Sequence, residues 1–353
     1  MKFLVPFFLA VFLVTAGLAA KLRKSPVTLP YPAPVSQKNK HHQNLNRAEE
    51  IKFIEPLPVT VSPQPVQVIE KQPAQFKKYQ DLSPSEQEDF IEQQARRVTR
   101  MIGNREAVFD RDVVRCIKHS VDGYARRMNS RSDRLWGEDL NRLFERAATR
   151  YAPGICAAFL AENVPPVVGL YLAMIESEYH ECLTSPVGAQ GMFQFMPDTA
   201  RGYGLDPGQR CQWPLAARAS ARYMRDRMNE FGTDSTSVAL AIAGYNRSPN
   251  SVFRDLEKIL KDQRSERSFW SLLANSSQLD HYFQNENSRY VPRFFAAAII
   301  GETPWAFGLS INPLSTYREN EAESGVKPLH STSERPDFFL KIHLLQELPP
   351  SSF

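Results

Sequence analysis

An all-α protein is what this sequence predicts. Three observations carry the expectation: apolar residues recur at helical spacing in most of the chain beyond residue 83, a Ser-Pro-Ser-Glu run opens the first such stretch, and no alternating strand pattern or Asn-Gly hairpin appears among them. A charged fraction of 23% beside a hydrophobic fraction of 42% suits a soluble globular protein and excludes a wholly disordered chain. The formal charge of +4 is too mild for a nucleic-acid partner, and no basic run is interleaved with aromatics as single-stranded nucleic acid would need.

Residues 1–20 stand apart. Met1-Lys2 is a short positive start, residues 3–15 are almost wholly apolar, and Gly17-Leu18-Ala19 supplies small residues where a signal peptidase reads. A signal peptide is expected, or an N-terminal anchor if Lys21, Arg23 and Lys24 hold the segment uncleaved at a membrane. Residues 21–80, with Pro26, Pro30, Pro32, Pro34, Pro56, Pro58, Pro63, Pro65 and Pro73, lack periodic apolar residues and read as a disordered Pro-rich tether.

Ser83 as N-cap, Pro84 at N1 and Glu86 at N3 form a capping box that opens a helix to about Ile102, where Gly103-Asn104 ends it. Stripes follow at Val113, Val114, Ile117, Val121 and Tyr124, at Leu140, Leu143, Phe144 and Ala147, and at Ile155, Phe159 and Leu160. Pro165-Pro166 starts a helix that is apolar on nearly every face as far as Ile175, hence buried. Later helices are expected over about 214–231, 237–245, 252–264 and 290–300. These give a helical extension at 81–137, a second helical domain at 138–308 and a mostly irregular C-terminal tail at 309–353, in which the apolar patch 338–345 either docks back or stays disordered.

Cys116, Cys156, Cys182 and Cys211 contain no Cys-x-x-Cys pair and no histidine at zinc spacing, so no metal is expected. Export favours disulfides. Of the three pairings, Cys182 with Cys211 and Cys116 with Cys156 are preferred, each worth on the order of 3 kcal/mol, with four buried thiols as the alternative.

Glu176 emerges at the C-terminal end of the apolar helix. Apolar surroundings and the negative helix end both disfavour its carboxylate, which would raise its pKa and suit it to donate a proton near neutral pH. From the residue alone, a surface glutamate closing a helix reads equally well. Glu178 and Glu181 are competitors that point elsewhere or lie beyond the helix. Downstream, Gly188 and Gly191 permit a tight return in residues 185–197, where Ser185 and Gln194 offer hydrogen-bonding groups and Phe193 and Met196 offer apolar contact, a mixture that suits a sugar. Tyr245-Asn246 and Glu286 with Tyr290 add polar groups further on.

In order, Glu176-Ser177-x-Tyr179, then Ser185-Pro186-Val187-Gly188-Ala189-x-Gly191-Met192-Phe193-Gln194-x-Met196-Pro197-x-Thr199-Ala200, Gly244-Tyr245-Asn246 and Glu286-x-x-x-Tyr290-Val291-Pro292 resemble the lytic transglycosylases of the goose-type lysozyme superfamily. The likeness is nearest to the membrane-bound lytic murein transglycosylase D group, whose Phe-Trp-Ser-Leu and Tyr-Val-Pro-Lys blocks are echoed at 269–272 and 290–293. It spans roughly residues 138–305 and implies a lysozyme-like (SLT-type) helical catalytic domain acting on peptidoglycan glycan strands without a cofactor. It also implies that Glu176 is the acid and then the base of a non-hydrolytic cleavage between N-acetylmuramic acid and N-acetylglucosamine. Ser185, Gln194, Met196 and Tyr245 would line the groove, and Asn246 and Glu286 would support it or contact sugar.

The chain departs from the family in two places. His180-Glu181 stands where Asn-Pro is common, and Arg247-Ser248 follows Tyr245-Asn246 in place of Ala-Gly, so Arg247 is expected to alter selectivity. No LysM wall-binding module is visible in 309–353, which leaves the groove, the basic tether or an N-terminal anchor at the inner membrane to provide attachment to the envelope. The competing readings are a goose-type lysozyme or chitinase-like hydrolase, with Asp198 or Glu178 as second acid, and a catalytically weak wall-binding scaffold.

Overall fold

The computed structural model describes residues 77–318 apart from 104, 105 and 262–264. The expected signal segment, most of the tether and the tail after Arg318, with its apolar patch 338–345, lie outside the described residues. Within them the chain is helical, broken by short turns and by isolated bridges at Thr184, Gln190 and Phe195.

Helix α1 (Pro84–Ile102) opens with the expected capping box: Ser83 Oγ accepts from the Glu86 N–H, and the Glu86 carboxylate accepts from the Ser83 N–H at 2.7 Å. Tyr79, within the expected tether, is instead buried against Phe90 and Phe307 and donates its hydroxyl to Asp122 at 2.6 Å. Asp110 caps α2 (Arg111–Ala125), and Asp139 caps the short α3 (Leu140–Arg146). A π-helical turn leads into α4 (Ala152–Leu160).

Helix α5 (Pro166–Ser177) has Pro166 at its first position and is buried on all sides except at Glu176 and the proline that begins it. It fits tightly because Gly169 has no side chain; a Cβ there would lie 2.4 Å from the Phe159 ring of α4. The remaining helices are α6 (Pro197–Gly202), α7 (Trp213–Phe231), α8 (Ser235–Arg247), α9 (Pro249–Leu260), α10 (Phe269–Ala274) and α11 (Ser288–Glu302). Helix α11 packs on α2, α5 and α8, while α7 packs on α4 and α8. Leu309 and Leu314 of the expected tail are buried, and Ser315 donates both its N–H and its hydroxyl to the buried Glu302 carboxylate.

What happens just after α5 fixes the position of Glu176. Glu178 (φ 50°) and Tyr179 (φ 60°) are both left-handed, a sharp reversal that L side chains resist. The reversal is held from three directions. The Tyr179 hydroxyl donates to the Leu170 carbonyl at 3.0 Å. Ser177 Oγ donates to the Met192 carbonyl at 2.8 Å and so ties the following loop to the helix. Glu178, with no exposure, receives both terminal nitrogens of Arg127 and the N–H of Trp136 at 3.1 Å. Arg127 also donates Nε–H to the Glu138 carbonyl, and Arg146 links the Glu138 carboxylate to the Glu178 carbonyl.

One disulfide joins Cys182 to Cys211, as expected. No bridge joins Cys116 to Cys156. Cys116 lies on the solvent side of α2, away from the buried Val113, Ile117 and Val121, whereas Cys156 is buried on α4, so the two thiols sit in different environments on separate helices.

Peptide mapping without reduction is expected to recover the Cys182–Cys211 link, with Cys116 and Cys156 both alkylated once the chain is unfolded. Glu178→Gln leaves the Arg127 charge without its carboxylate partner. Denaturant unfolding should show a loss of about 3 kcal/mol, against under 1 kcal/mol for the exposed pair partner Asp198→Asn.

Candidate active site

Glu176 stands at the open end of α5, where the last turn of an otherwise buried helix meets the surface. Loss of hydration dominates its electrostatics and raises the carboxyl from 4.5 to about 7, against the opposing pull of a hydrogen bond from Tyr290 and the charge of Arg293. Tyr290 and Arg293 are three residues apart on α11 and therefore share a face. The Tyr290 hydroxyl donates to Glu176 Oε1, and Arg293 donates to the Ile175 carbonyl at 3.2 Å. Helix α11 thus reaches the acid and the backbone beside it.

Two further tyrosines feel the Glu176 charge. Burial and that charge push the Tyr245 phenol well above its ordinary range, and burial, Glu286 and Glu176 raise Tyr282. Tyr245, near the end of α8, donates to the Phe193 carbonyl at 2.8 Å. Tyr282 donates to the Asn246 carbonyl at 3.3 Å, and Asn246 Oδ1 accepts from Asn287 at 3.0 Å. Glu286 is exposed on a π-helical turn, Phe283–Asn287, that runs directly into α11.

The loop from Cys182 to Met196 is tied to α5 through Ser177 and to α8 through Tyr245. Ser185 donates its N–H to the Ala189 carbonyl at 2.8 Å and accepts the Ala189 N–H on Oγ at 3.0 Å. Gln194 is left-handed (φ 49°) and donates its amide nitrogen to the carbonyls of Leu183 and Gly191 at 2.9 and 2.8 Å. Gly191 sits at φ 88°, where a Cβ would lie 1.9 Å from the Arg210 carbonyl oxygen, so no larger residue fits. The Arg210 guanidinium binds the carbonyls of Gly188 and Phe195, next to the disulfide at Cys211.

Of the residues singled out in the sequence, Tyr245 lies near enough to Glu176 to feel its charge, and the exposed Glu286 acts with Glu176 on the Tyr282 phenol. Ser185 and Gln194 shape the loop with the hydrogen-bonding groups named above. Met196 presents an apolar side chain at the surface, 43% exposed. Asn246 is engaged with Asn287 and Tyr282. Arg247, expected to alter selectivity, is instead enclosed: its guanidinium pairs with Asp255 and Asp280, only 6% of its side chain is exposed, and it lies 5.5 Å over the Tyr282 ring. Among the described residues, no three His, Cys, Asp or Glu side chains converge as a metal site requires.

Tyr282 and Arg293 were absent from the sequence-derived site. A signal for Tyr282 was present, since Tyr282, Glu286 and Tyr290 repeat every four residues and so lie near one face of a helix. Arg127 had no such signal; it lies 51 residues from Glu178.

Comparison with known proteins gives three findings. Residues 155–267 match the model of the transglycosylase SLT domain. Two curated relatives, the membrane-bound lytic murein transglycosylase D of Escherichia coli K12 and that of E. coli O6:H1, are each 27% identical over 168 residues, covering 46% of this chain. The chain spans about a third of those relatives' length (34%). Among solved structures, an inactive mutant of the lytic transglycosylase Slt of Pseudomonas aeruginosa is 19% identical, covering 58% of this chain and 32% of its own, with a TM-score of 0.37. The 70 kDa soluble lytic transglycosylase SLT70 of E. coli is 16% identical, covering 61% and 33%, with the same TM-score. Residues 155–267, which contain the Glu176, Gly191 and Tyr245 blocks, are thus similar in sequence to the transglycosylase SLT domain.

Proposed function

We propose that the chain is a lytic transglycosylase of the bacterial cell envelope that cleaves peptidoglycan glycan strands at the β-1,4 bond between N-acetylmuramic acid and N-acetylglucosamine. The observation that carries this reading is the desolvated carboxyl of Glu176 at the open end of α5, whose pKa of about 7 leaves much of it protonated near neutrality. Tyr290 occupies Oε1, so Oε2 is the atom to carry the proton toward the glycosidic oxygen. As the leaving sugar departs with that proton, Glu176 becomes a carboxylate. It then takes the proton from the muramoyl C6 hydroxyl, whose oxygen attacks C1 and closes a 1,6-anhydro ring. No water enters the bond balance.

The hydrolytic alternative needs a second acid to position water. Its two candidates are poorly suited: Glu178 is buried under Arg127, and the Asp198 side chain is 94% exposed and paired with Arg201. The surroundings of Glu176 support the one-carboxylate route. Tyr290 and Arg293 stabilise the carboxylate once it forms, while burial favours the acid before it does. Tyr245 supports the Phe193 backbone and Tyr282 supports Asn246, giving a polar and aromatic surround suited to sugar. Export by residues 1–20 and retention at the envelope through the N-terminal region complete the proposal; among the described residues, no helix is long and apolar enough to cross a membrane.

Three outcomes are expected. Digested purified peptidoglycan should yield anhydromuramoyl ends by mass spectrometry; reducing ends would make the enzyme a hydrolase, and no release would make it a scaffold. Glu176→Gln should lower the rate by on the order of a thousandfold. It should also raise stability at pH 8, by on the order of 2 kcal/mol. The sign follows from the raised folded-state pKa: the contribution is fully favourable below about 4.5 and is lost as pH rises through about 7, so the stability difference should vanish at pH 4.

Tyr290→Phe removes a hydrogen bond that lowers the Glu176 pKa. The alkaline limb of the rate profile, expected near pH 7 in the unaltered protein, should therefore move to higher pH while kcat falls. An unmoved limb would separate Tyr290 from the titrating acid.

A further inference from the structure

Trp136 is a large apolar side chain left 42% exposed, in a part of the chain outside the matched SLT segment. Its backbone is left-handed (φ 64°), a conformation that glycine or asparagine adopts with less strain than an indole-bearing residue. The exposed Phe253 has an ordinary explanation, because its ring stacks 4.4 Å from Phe231 at the margin of the core. Trp136 has no comparable core packing to account for its place.

The turn that presents the indole is nevertheless firmly held. Trp136 donates its N–H to Glu178 Oε2, the carboxylate clamped by Arg127. Gly137 donates to the Arg134 carbonyl at 2.9 Å, and Ser130 Oγ donates to the Gly137 carbonyl at 2.8 Å. The Arg293 guanidinium lies 5.6 Å from the ring centroid. Arg293 also binds the carbonyl of Ile175 and exerts its charge on Glu176, so one arginine connects the indole to the acid. The result is a braced aromatic surface beside the open end of α5.

We infer that Trp136 is a stacking platform for a sugar ring of a glycan strand, one ring or more away from the bond at Glu176. The inference rests on the proposed glycan chemistry of the Glu176 site. A pyranose presents an apolar face of C–H bonds edged by hydroxyls. A rigid, exposed indole takes such a face with little loss of side-chain freedom, and burial of both apolar surfaces supplies the affinity. The buried ion pair of Glu178 thereby acquires a second consequence: it fixes the α5 terminus and the sugar platform in one frame.

The test uses the Glu176→Gln protein, whose slowed turnover leaves binding to be read on its own, and peptide-free peptidoglycan glycan oligosaccharides titrated by calorimetry. Adding Trp136→Ala should weaken binding of the longer oligosaccharides about tenfold and leave that of the disaccharide unchanged, with Trp136→Phe recovering most of the loss. In the protein retaining Trp136, the longer oligosaccharides should protect that indole from oxidation by N-bromosuccinimide, located by peptide mass mapping. This second measurement needs no substitution at position 136. Equal affinity with and without the indole, or full oxidation of Trp136 at saturation, overturns the platform while leaving the Glu176 site standing. If no oligosaccharide of any length binds the Glu176→Gln protein, the glycan reading of the site falls and the platform with it.

Discussion

The loss of hydration around the Glu176 carboxyl is the constraint on which the rest of the site depends. A glutamate in water at pH 7 holds almost no proton, whereas one raised to about 7 is roughly half protonated there, which general acid catalysis needs. The fold achieves this by exposing only the last turn of a helix that is otherwise buried. Helix α5 needs no amphipathic face because α1, α4, α7 and α11 all pack against it. A carboxyl at that point is costly to the folded state once ionised, and the surrounding core must tolerate the cost.

Holding such a group in place requires support that does not itself solvate it. The two glutamates at the end of α5 illustrate the division. Glu176 receives one neutral hydroxyl, from Tyr290, and remains difficult to ionise. Glu178, two residues later, receives a guanidinium fork and a backbone N–H and serves as an anchor. The same residue type thus does opposite work because the helix ends between the two positions. The chain turns left-handed at Glu178, which carries its side chain away from the acid and toward residues 127–146. The segment before the matched SLT region therefore forms part of the support of the site.

Sequence pattern revealed those parts of the molecule whose physics is local. The Ser83 capping box, the Pro166 helix start and the all-round apolarity of α5 each depend on neighbours within a few residues, and each appears as read. Helix α9 begins at Pro249, earlier than the apolar stripe from Val252 indicates, because Ser248 and Pro249 make a start signal that precedes the stripe. The disulfide between Cys182 and Cys211 staples a loop and its flank, whereas the expected Cys116–Cys156 pair needed relative helix orientations that composition does not encode. Arg247 misled for a similar reason. Beside Tyr245-Asn246 it reads as a residue that alters selectivity, but Asp255 of α9 and Asp280 of the later turn enclose it, and only the packing of those segments against α8 reveals that.

Helix α11 shows how little freedom the site has. Tyr290 and Arg293 must both face the end of α5, and their spacing of three residues allows this only in one rotational setting of the helix. A rotation by one residue, about 100°, would carry Tyr290 off Glu176 and Arg293 off the Ile175 carbonyl together. That setting is fixed at the far end by buried groups with no contact to the acid: Tyr171 of α5 donates to the Glu302 carboxylate at 2.6 Å, and Ser315 donates to the same group. Gly301 permits the close approach, since a Cβ there would meet the Tyr171 hydroxyl at 2.3 Å. Helix α11 is thus held at both ends against α5, by Tyr290 and Arg293 at the acid and by Glu302 at the far end.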